Sequence, residues 1–343
     1  MKTIEIHSVS QPSKVLIGEK AKNYHQYIPP GTPLVFITDK NLKSHYPHLF
    51  QDYPVVEIGL GEKNKTFETL EYIFSQFIEL EVDRSTYVVA VGGGIVCDVA
   101  GFAASIYMRG LRFGFISTSL LSQVDASVGG KNGVNFTGYK NMIGVFNQPE
   151  FVICDINMLK TLDSEEFYAG FAEIIKAGAI RDATLFEYLE KNASEALDYN
   201  EPVLEKIISD SIAIKARVVE NDEREKGERR VLNFGHTFAH AIEKLTGMLH
   251  GKAVSIGMAL AASLSVKLGY LSSEEKNRII AVLDKYHLPV ECTLSMKDII
   301  IAMKKDKKRE GSDIHFVLLD RIGNAFTEKK PLNELEDLLH DLC

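Results

Sequence analysis

Three of the chain's ten histidines fall within residues 233–251, which read NFGHTFAHAIEKLTGMLHG. His236 and His240 stand four apart, so on a helix they share one face, and Glu243 continues that face a turn later. Such an imidazole pair can hold a divalent cation, with a carboxylate from elsewhere as third ligand. It is equally what a half-buried helix with hydrogen-bonded histidines looks like. A second cluster is Gly92-Gly93-Gly94, which follows the apolar run 86–91 and opens a helix carrying Asp98. Strand, glycine turn and helix bring backbone N–H groups up to a pyrophosphate, and a Cβ would block that approach. The pattern is GGGxxxD rather than GxGxxG, so a phosphate-binding role competes with a plain tight turn. Asp98 sits in an otherwise apolar helix and must be paired or hydrogen-bonded there, which favours a ligand contact. The third cluster is the run 118–135, where hydroxyls, Asp125, Gly129-Gly130 and Lys131 crowd together, with Lys140-Asn141 just beyond.

These residues need rigid elements to hold them. Residues 4–6 and 15–17 alternate around a polar turn and read as an antiparallel edge pair. Residues 34–39 form a buried strand ending in Asp39, an acid that can bond a ribose hydroxyl or cap the next helix. A strand at 55–60, a helix at 66–81, the continuous apolar strand 86–91, the helix 95–107 and strands near 112–117 and 150–156 complete an α/β alternation. Beyond Leu162 the period becomes helical, with helices near 183–193, 201–220, 234–245, 252–269, 273–286 and 296–305 and a strand-like 314–319. The expected organisation is an α/β domain over 1–157 followed by an all-α or mainly α-helical domain over 158–343.

Composition narrows the class. A chain of 343 residues fits about two domains. Its net charge of −8 argues against a nucleic-acid surface, so an anionic substrate would need a local basic cluster. Cys97, Cys154, Cys292 and Cys343 are scattered without CxxC spacing, which fits free thiols in a reducing cytoplasm. The N-terminal residues lack a signal-peptide core. The longest apolar run, 253–266, is shorter than the roughly 20 residues a membrane helix needs.

The blocks GGGIVCDVAGF (92–102), YMRG (107–110), LLSQVDASVGGKNGVN (120–135), KNMIGVFNQP (140–149), GFAEIIK (170–176), RRVLNFGHTFAHAIE (229–243), HGKAVSIGM (250–258) and DKK (306–308) occur in the order of the 3-dehydroquinate synthase family, and together they resemble it. That family belongs to the sugar-phosphate cyclases, and the resemblance implies that the α/β domain is a Rossmann-like nucleotide-binding domain, with the active site in the cleft between it and the helical domain. Thr118-Ser119 departs slightly from its usual pair of threonines but keeps the hydroxyl. The resemblance implies NAD contacts at Asp39, Glu62, Lys65, Gly93, Gly94, Asp98, Thr118, Ser119 and Thr161. It implies one divalent metal, Zn2+ with Co2+ as the other candidate, on Glu173, His236 and His250. It implies substrate contacts at Arg109, Asp125, Lys131, Lys140, Asn141, Lys176, Lys215, Arg229, Asn233, His240 and Lys307, with Lys308 adjoining the last. Lys131, Asn141, Lys176, Arg229 and His240 are the implied catalytic set. On one straight helix His236 and His250 would lie about 21 Å apart, so the implied ligand set requires the chain to double back, and Thr246-Gly247 is the place for it.

The implied reaction converts 3-deoxy-D-arabino-heptulosonate 7-phosphate to 3-dehydroquinate and phosphate. It runs by transient NAD oxidation, phosphate β-elimination, re-reduction, ring opening and aldol closure, in the shikimate pathway of aromatic amino acid biosynthesis. The resemblance further implies a cytoplasmic homodimer whose partner is a small anionic sugar phosphate, with no nucleic acid or membrane involved. The basic candidates answer the acidic net charge, because a carboxylate and a phosphate need such a cluster. Three alternatives stand beside this reading. They are another sugar-phosphate cyclase, a metal-dependent polyol dehydrogenase, which would accumulate NADH, and a non-catalytic binding protein, which would show neither metal nor turnover.

Overall fold

The computed structural model describes residues 1–7, 12–50, 52–305 and 313–342. The chain forms two compact units, Met1–Asp163 with Lys215–Arg224, and Ser164–Ile214 with Glu225–Cys343. In the first unit the strands are β1 (Lys2–Ile6), β2 (Ser13–Ile17), β3 (Leu34–Asp39), β4 (Val55–Ile58), β5 (Tyr87–Gly92), β6 (Arg112–Ser117), β7 (Lys131–Phe136), β8 (Tyr139–Phe146) and β9 (Phe151–Cys154). Its helices are α1 (Lys40–His45), α2 (Phe67–Glu79) and α3 (Gly94–Ile106). Seven strands form one sheet in the order β1-β2-β9-β6-β5-β3-β4. Among the described residues of this sheet, only the expected edge pair, β1 with β2, is antiparallel.

The central strands are unbroken apolar runs because both their faces are covered. Tyr87, Val88, Val89, Ala90 and Val91 are all fully buried. Phe36, Val89, Val91, Ile116, Phe151 and Ile153 share one core cluster. From β3 the chain steps outward to β4, then returns to place β5 on the other side of β3. Connections therefore diverge between β3 and β5, and a crevice at the carboxyl ends of strands arises at such a switch point. Asp39 ends β3 and Gly92 ends β5, so the acid and the glycine turn flank that place. β7 and β8 pair only with each other, as a hairpin apart from the main sheet. The run 118–135, in which no strand is expected, thus ends in this hairpin.

The second unit contains α4 (Ser164–Arg181), α5 (Ala183–Lys191), α6 (Ala193–Leu197), most of α7 (Glu201–Asn221), α8 (His236–Thr246), α9 (His250–Lys267), α10 (Ser273–Lys285), α11 (Met296–Lys305) and α12 (Leu335–Leu339). The part of α7 from Lys215 onward belongs to the first unit, a return that composition gives no sign of. Among the described residues, the second unit is helical apart from one antiparallel hairpin, β10 (Asp313–Arg321) with β11 (Asn324–Pro331). The strand-like 314–319 is the core of β10. Its partner β11 has no expected counterpart, because its mostly half-buried and exposed residues offer little apolar signal. Among the described residues, no helix is long and apolar enough to cross a membrane.

Candidate active site

At the carboxyl end of the main sheet, Gly93 caps α3 with extended backbone. A Cβ on Gly94 would stand 2.8 Å from the Cβ of Ala126, and one on Gly93 would stand 3.2 Å from Ser119 Oγ. The turn is therefore open to a close approach only because it carries glycine. Asp39 caps α1, its Oδ1 accepting from the backbone N–H groups of Asn41 and Leu42 at 2.9 and 3.1 Å. Both bonds use one oxygen, so capping and a ribose contact through Oδ2 are compatible. Thr118 is buried, and its N–H donates to the Gly92 carbonyl at 3.0 Å, fastening the ends of β5 and β6. Ser119 Oγ donates to Ser122 Oγ at 3.1 Å. The Thr161 hydroxyl donates to the Met158 carbonyl at 3.1 Å and lies 2.7 Å from the Tyr46 hydroxyl.

Lys65 is buried and ion-paired to Asp98, the partner that an acid in an apolar helix requires. The same ammonium donates to Asn141 Oδ1 at 2.5 Å. Glu62 accepts from Asn135 Nδ2 at 2.8 Å, and Lys140 Nζ lies 4.0 Å from Glu62 Oε1. The structure thus joins three residues expected at NAD with two expected at substrate, through Asn135. Asp125 lies in a single π-helical turn, Ser122–Ala126. Lys215, from α7, donates to its Oδ1 at 2.5 Å and to its carbonyl at 2.6 Å. Lys131 opens β7 and is exposed. Arg109 and Asn141 both hold left-handed backbone, with φ of 71° and 51°. Such conformations are costly outside glycine and persist where surrounding contacts impose them.

In the helical unit, Glu173 of α4, His236 of α8 and His250 of α9 each offer a ligand atom, and these atoms lie within 4.8 Å of one another. Glu173 Oε1 is 3.7 Å from His236 Nε2 and 3.6 Å from His250 Nε2. That oxygen is buried with no hydrogen-bond partner. The other Glu173 oxygen is paired with Lys176, which is also buried. Burial pushes the Glu173 carboxyl up, but Lys176 and His250 outweigh it and hold it at about 2. Burial pushes His250 down, but Glu173 and Glu243 outweigh it and lift the imidazole to about 9. The His236 Nδ1 lies 3.2 Å from the Phe234 carbonyl, so the tautomer that donates there leaves Nε2 turned to the cluster with a lone pair. A buried carboxylate and two imidazoles suit a divalent cation, and an orphaned carboxylate oxygen is what such an ion would satisfy.

Local sequence explains this convergence. Gly235 starts α8 and Gly247 ends it, both in left-handed conformation, and α9 begins three residues later at His250. The reversal expected at Thr246-Gly247 is therefore present. A Cβ on Gly251 would stand 2.0 Å from the Ala169 carbonyl oxygen, and one on Gly257 2.1 Å from that of Gly235. Those two glycines let α9 press against both α4 and the start of α8, which brings the three ligands together. His240 is half-buried, with its ring 5.5 Å from that of His236, and it is outside the converging set. Arg229 is buried in the short turn Glu228–Asn233, and Asn233 Nδ2 donates to Glu225 Oε1 at 2.5 Å. Lys307 and its neighbour Lys308 lie outside the described residues.

Two residues here were not among the expected contacts. Glu243 Oε2 is 3.6 Å from His250 Nδ1, the ring atom facing away from Glu173. Its i+7 spacing from His236 marked the helix face, but nothing in the spacing points to His250. Asn135 closes the KNGVN run, and its role follows only from the hairpin geometry.

Comparison with known proteins gives the class first. The fold resembles a 2-deoxy-scyllo-inosose synthase solved with carbaglucose-6-phosphate, NAD+ and Co2+, at 26% identity and a TM-score of 0.88, over 99% of this chain and 100% of that one. It resembles 2-epi-5-epi-valiolone synthase from Streptomyces hygroscopicus subsp. jinggangensis 5008, solved with NAD+ and Zn2+, at 27% identity and a TM-score of 0.85, over 100% and 99% of the two chains. Both neighbours are sugar-phosphate cyclases. A 3-dehydroquinate synthase from Campylobacter concisus (strain 13826) is 44% identical over 292 residues, covering 84% of this chain and 83% of its own. Residues 55–169 match the 3-dehydroquinate synthase N-terminal family and residues 170–309 the 3-dehydroquinate synthase C-terminal family. The chain belongs to the 3-dehydroquinate synthase family.

Proposed function

We propose that this enzyme is an NAD- and metal-dependent carbon–oxygen lyase that converts 3-deoxy-D-arabino-heptulosonate 7-phosphate to 3-dehydroquinate and phosphate. The observation that carries the reading is the convergence of Glu173, His236 and His250 within a chain matched by both halves of the family. Related cyclases solved with NAD+ and Co2+ or Zn2+ support the same pair of cofactors here. Zinc is the preferred ion for a carboxylate and two imidazoles.

When bound, the dinucleotide supplies reversible hydride transfer and the cation supplies Lewis acidity. The chain's own residues do the rest. Asp39, Glu62, Lys65, Gly93, Gly94, Asp98, Thr118, Ser119 and Thr161 hold the dinucleotide. Lys131, Asn141, Lys176 and Arg229 hold and orient the substrate, with Arg109, Asp125, Lys140, Lys215, Asn233 and Lys307 completing its contacts. Orienting a phosphate beside an acidified C–H is itself catalytic, since it replaces a bimolecular encounter. Burial of Lys176 and Arg229 strengthens their hold on anionic groups. His240 moves a proton to or from the substrate. The reaction belongs to the shikimate route to aromatic amino acids, and we propose a cytoplasmic homodimer, as the family implies.

The test is incubation with the heptulosonate phosphate, NAD and Zn2+ while following phosphate and NADH together. Phosphate release at steady, low NADH is expected. Accumulating NADH would mark a dehydrogenase, and no release from folded, metal-loaded protein would remove the reading.

A further inference from the structure

The β7–β8 hairpin is irregular at one place. Val134 pairs with Ile143 and Phe136 with Tyr139, so one residue on β7 faces three on β8. The one is Asn135, and the three are Lys140, Asn141 and Met142. A bulge of this kind leaves backbone groups without ladder partners and re-aims side chains. Here Asn135 supplies what the ladder lacks. Its Oδ1 accepts from the Asn141 N–H at 2.9 Å, at the residue whose φ is 51°. Its Nδ2 donates to Glu62 Oε1 at 2.8 Å, and its own N–H donates to the Lys65 carbonyl at 2.8 Å. Asn141 in turn accepts from Lys65 through Oδ1 at 2.5 Å.

The geometry points to Asn135 as a positioning residue that fixes Asn141 in its left-handed conformation and ties the substrate-facing bulge to the dinucleotide-facing 62–65 turn. An amide is required because the position needs one acceptor and one donor at once. Alanine supplies neither, and aspartate supplies only acceptors. The inference rests on the proposed roles of Asn141, Glu62 and Lys65.

The experiment compares wild type, Asn135→Ala, Asn135→Asp, Glu62→Gln and the double variant Asn135→Asp/Glu62→Gln. Each is measured for phosphate release (kcat and KM), for NAD Kd by fluorescence titration and for Tm. Asn135→Ala is expected to lower kcat/KM roughly 10- to 100-fold, the scale of a misplaced contact, and to raise the NAD Kd severalfold, with Tm nearly unchanged. Asn135→Asp sets a carboxylate against Glu62. Its deficit should shrink in the Glu62→Gln background, where the new amide can donate, a non-additivity that general destabilisation would not produce. Unchanged kinetics and NAD Kd in Asn135→Ala, strictly additive effects in the double variant, or losses that follow Tm alone would overturn the inference. Should wild type release no phosphate, the functional reading fails separately, and the NAD titration still decides this one: an unchanged Kd in Asn135→Ala overturns it.

Discussion

Glu173 has its two oxygens in different company, with one paired to Lys176 and the other facing the Nε2 atoms of His236 and His250 without a hydrogen bond. The arrangement keeps the carboxylate ionised and its free oxygen available. Glu243 stands behind His250 at Nδ1, where a carboxylate selects the tautomer that presents Nε2 and raises its basicity. Glu243→Gln is therefore expected to weaken Zn2+ binding about 10- to 100-fold, read by competition with a chromophoric chelator. Unaltered affinity would confine Glu243 to packing. HxxxH spacing offers His236 with His240, whereas the pairing of His236 with His250 follows from the family resemblance and is matched by their closeness in space. Asp98 was legible as an acid in an apolar helix in need of a partner, whereas Lys65 as that partner was not, because the contact joins separate elements.

Elements bring the ligands into range. The α8–α9 turn depends on left-handed Gly247, and the depth of packing depends on Gly251 against the Ala169 carbonyl. Gly251→Ala must move backbone rather than a flexible side chain. It is expected to destabilise the protein by about 1–3 kcal/mol and to weaken metal binding together with it, measured by denaturant unfolding and zinc titration. An alanine variant with wild-type stability and affinity would show that the close approach is not needed. The parallel strands and the long helices were readable because their periodicity is strong and their burial uniform. The β7–β8 hairpin was not: β8 alternates half-buried and exposed residues without a clean apolar face, and its bulge breaks the period of two. The second strand of the C-terminal hairpin escaped for a similar reason, its lysines and glutamate hiding the alternation.

At the scale of the molecule, the chain has two compact units, and the first recovers residues 215–224 from within the second's sequence span. Lys215 pairs with Asp125 through that return, a tertiary relation that no local pattern carries. The candidate metal ligands lie on three helices of the helical unit, so an ion held by them would bind the folded chain and not the unfolded one. Removal of metal by a chelator should lower Tm, and readdition at about 100 times Kd should restore roughly 2.7 kcal/mol. A Tm insensitive to metal would mean that the ion is not held by these helices. The most direct test of the account is the zinc stoichiometry of purified His240→Ala beside His250→Ala. His240→Ala is expected to retain about one equivalent, with slowed turnover, and His250→Ala to lose the ion. Loss in His240→Ala with retention in His250→Ala would contradict it.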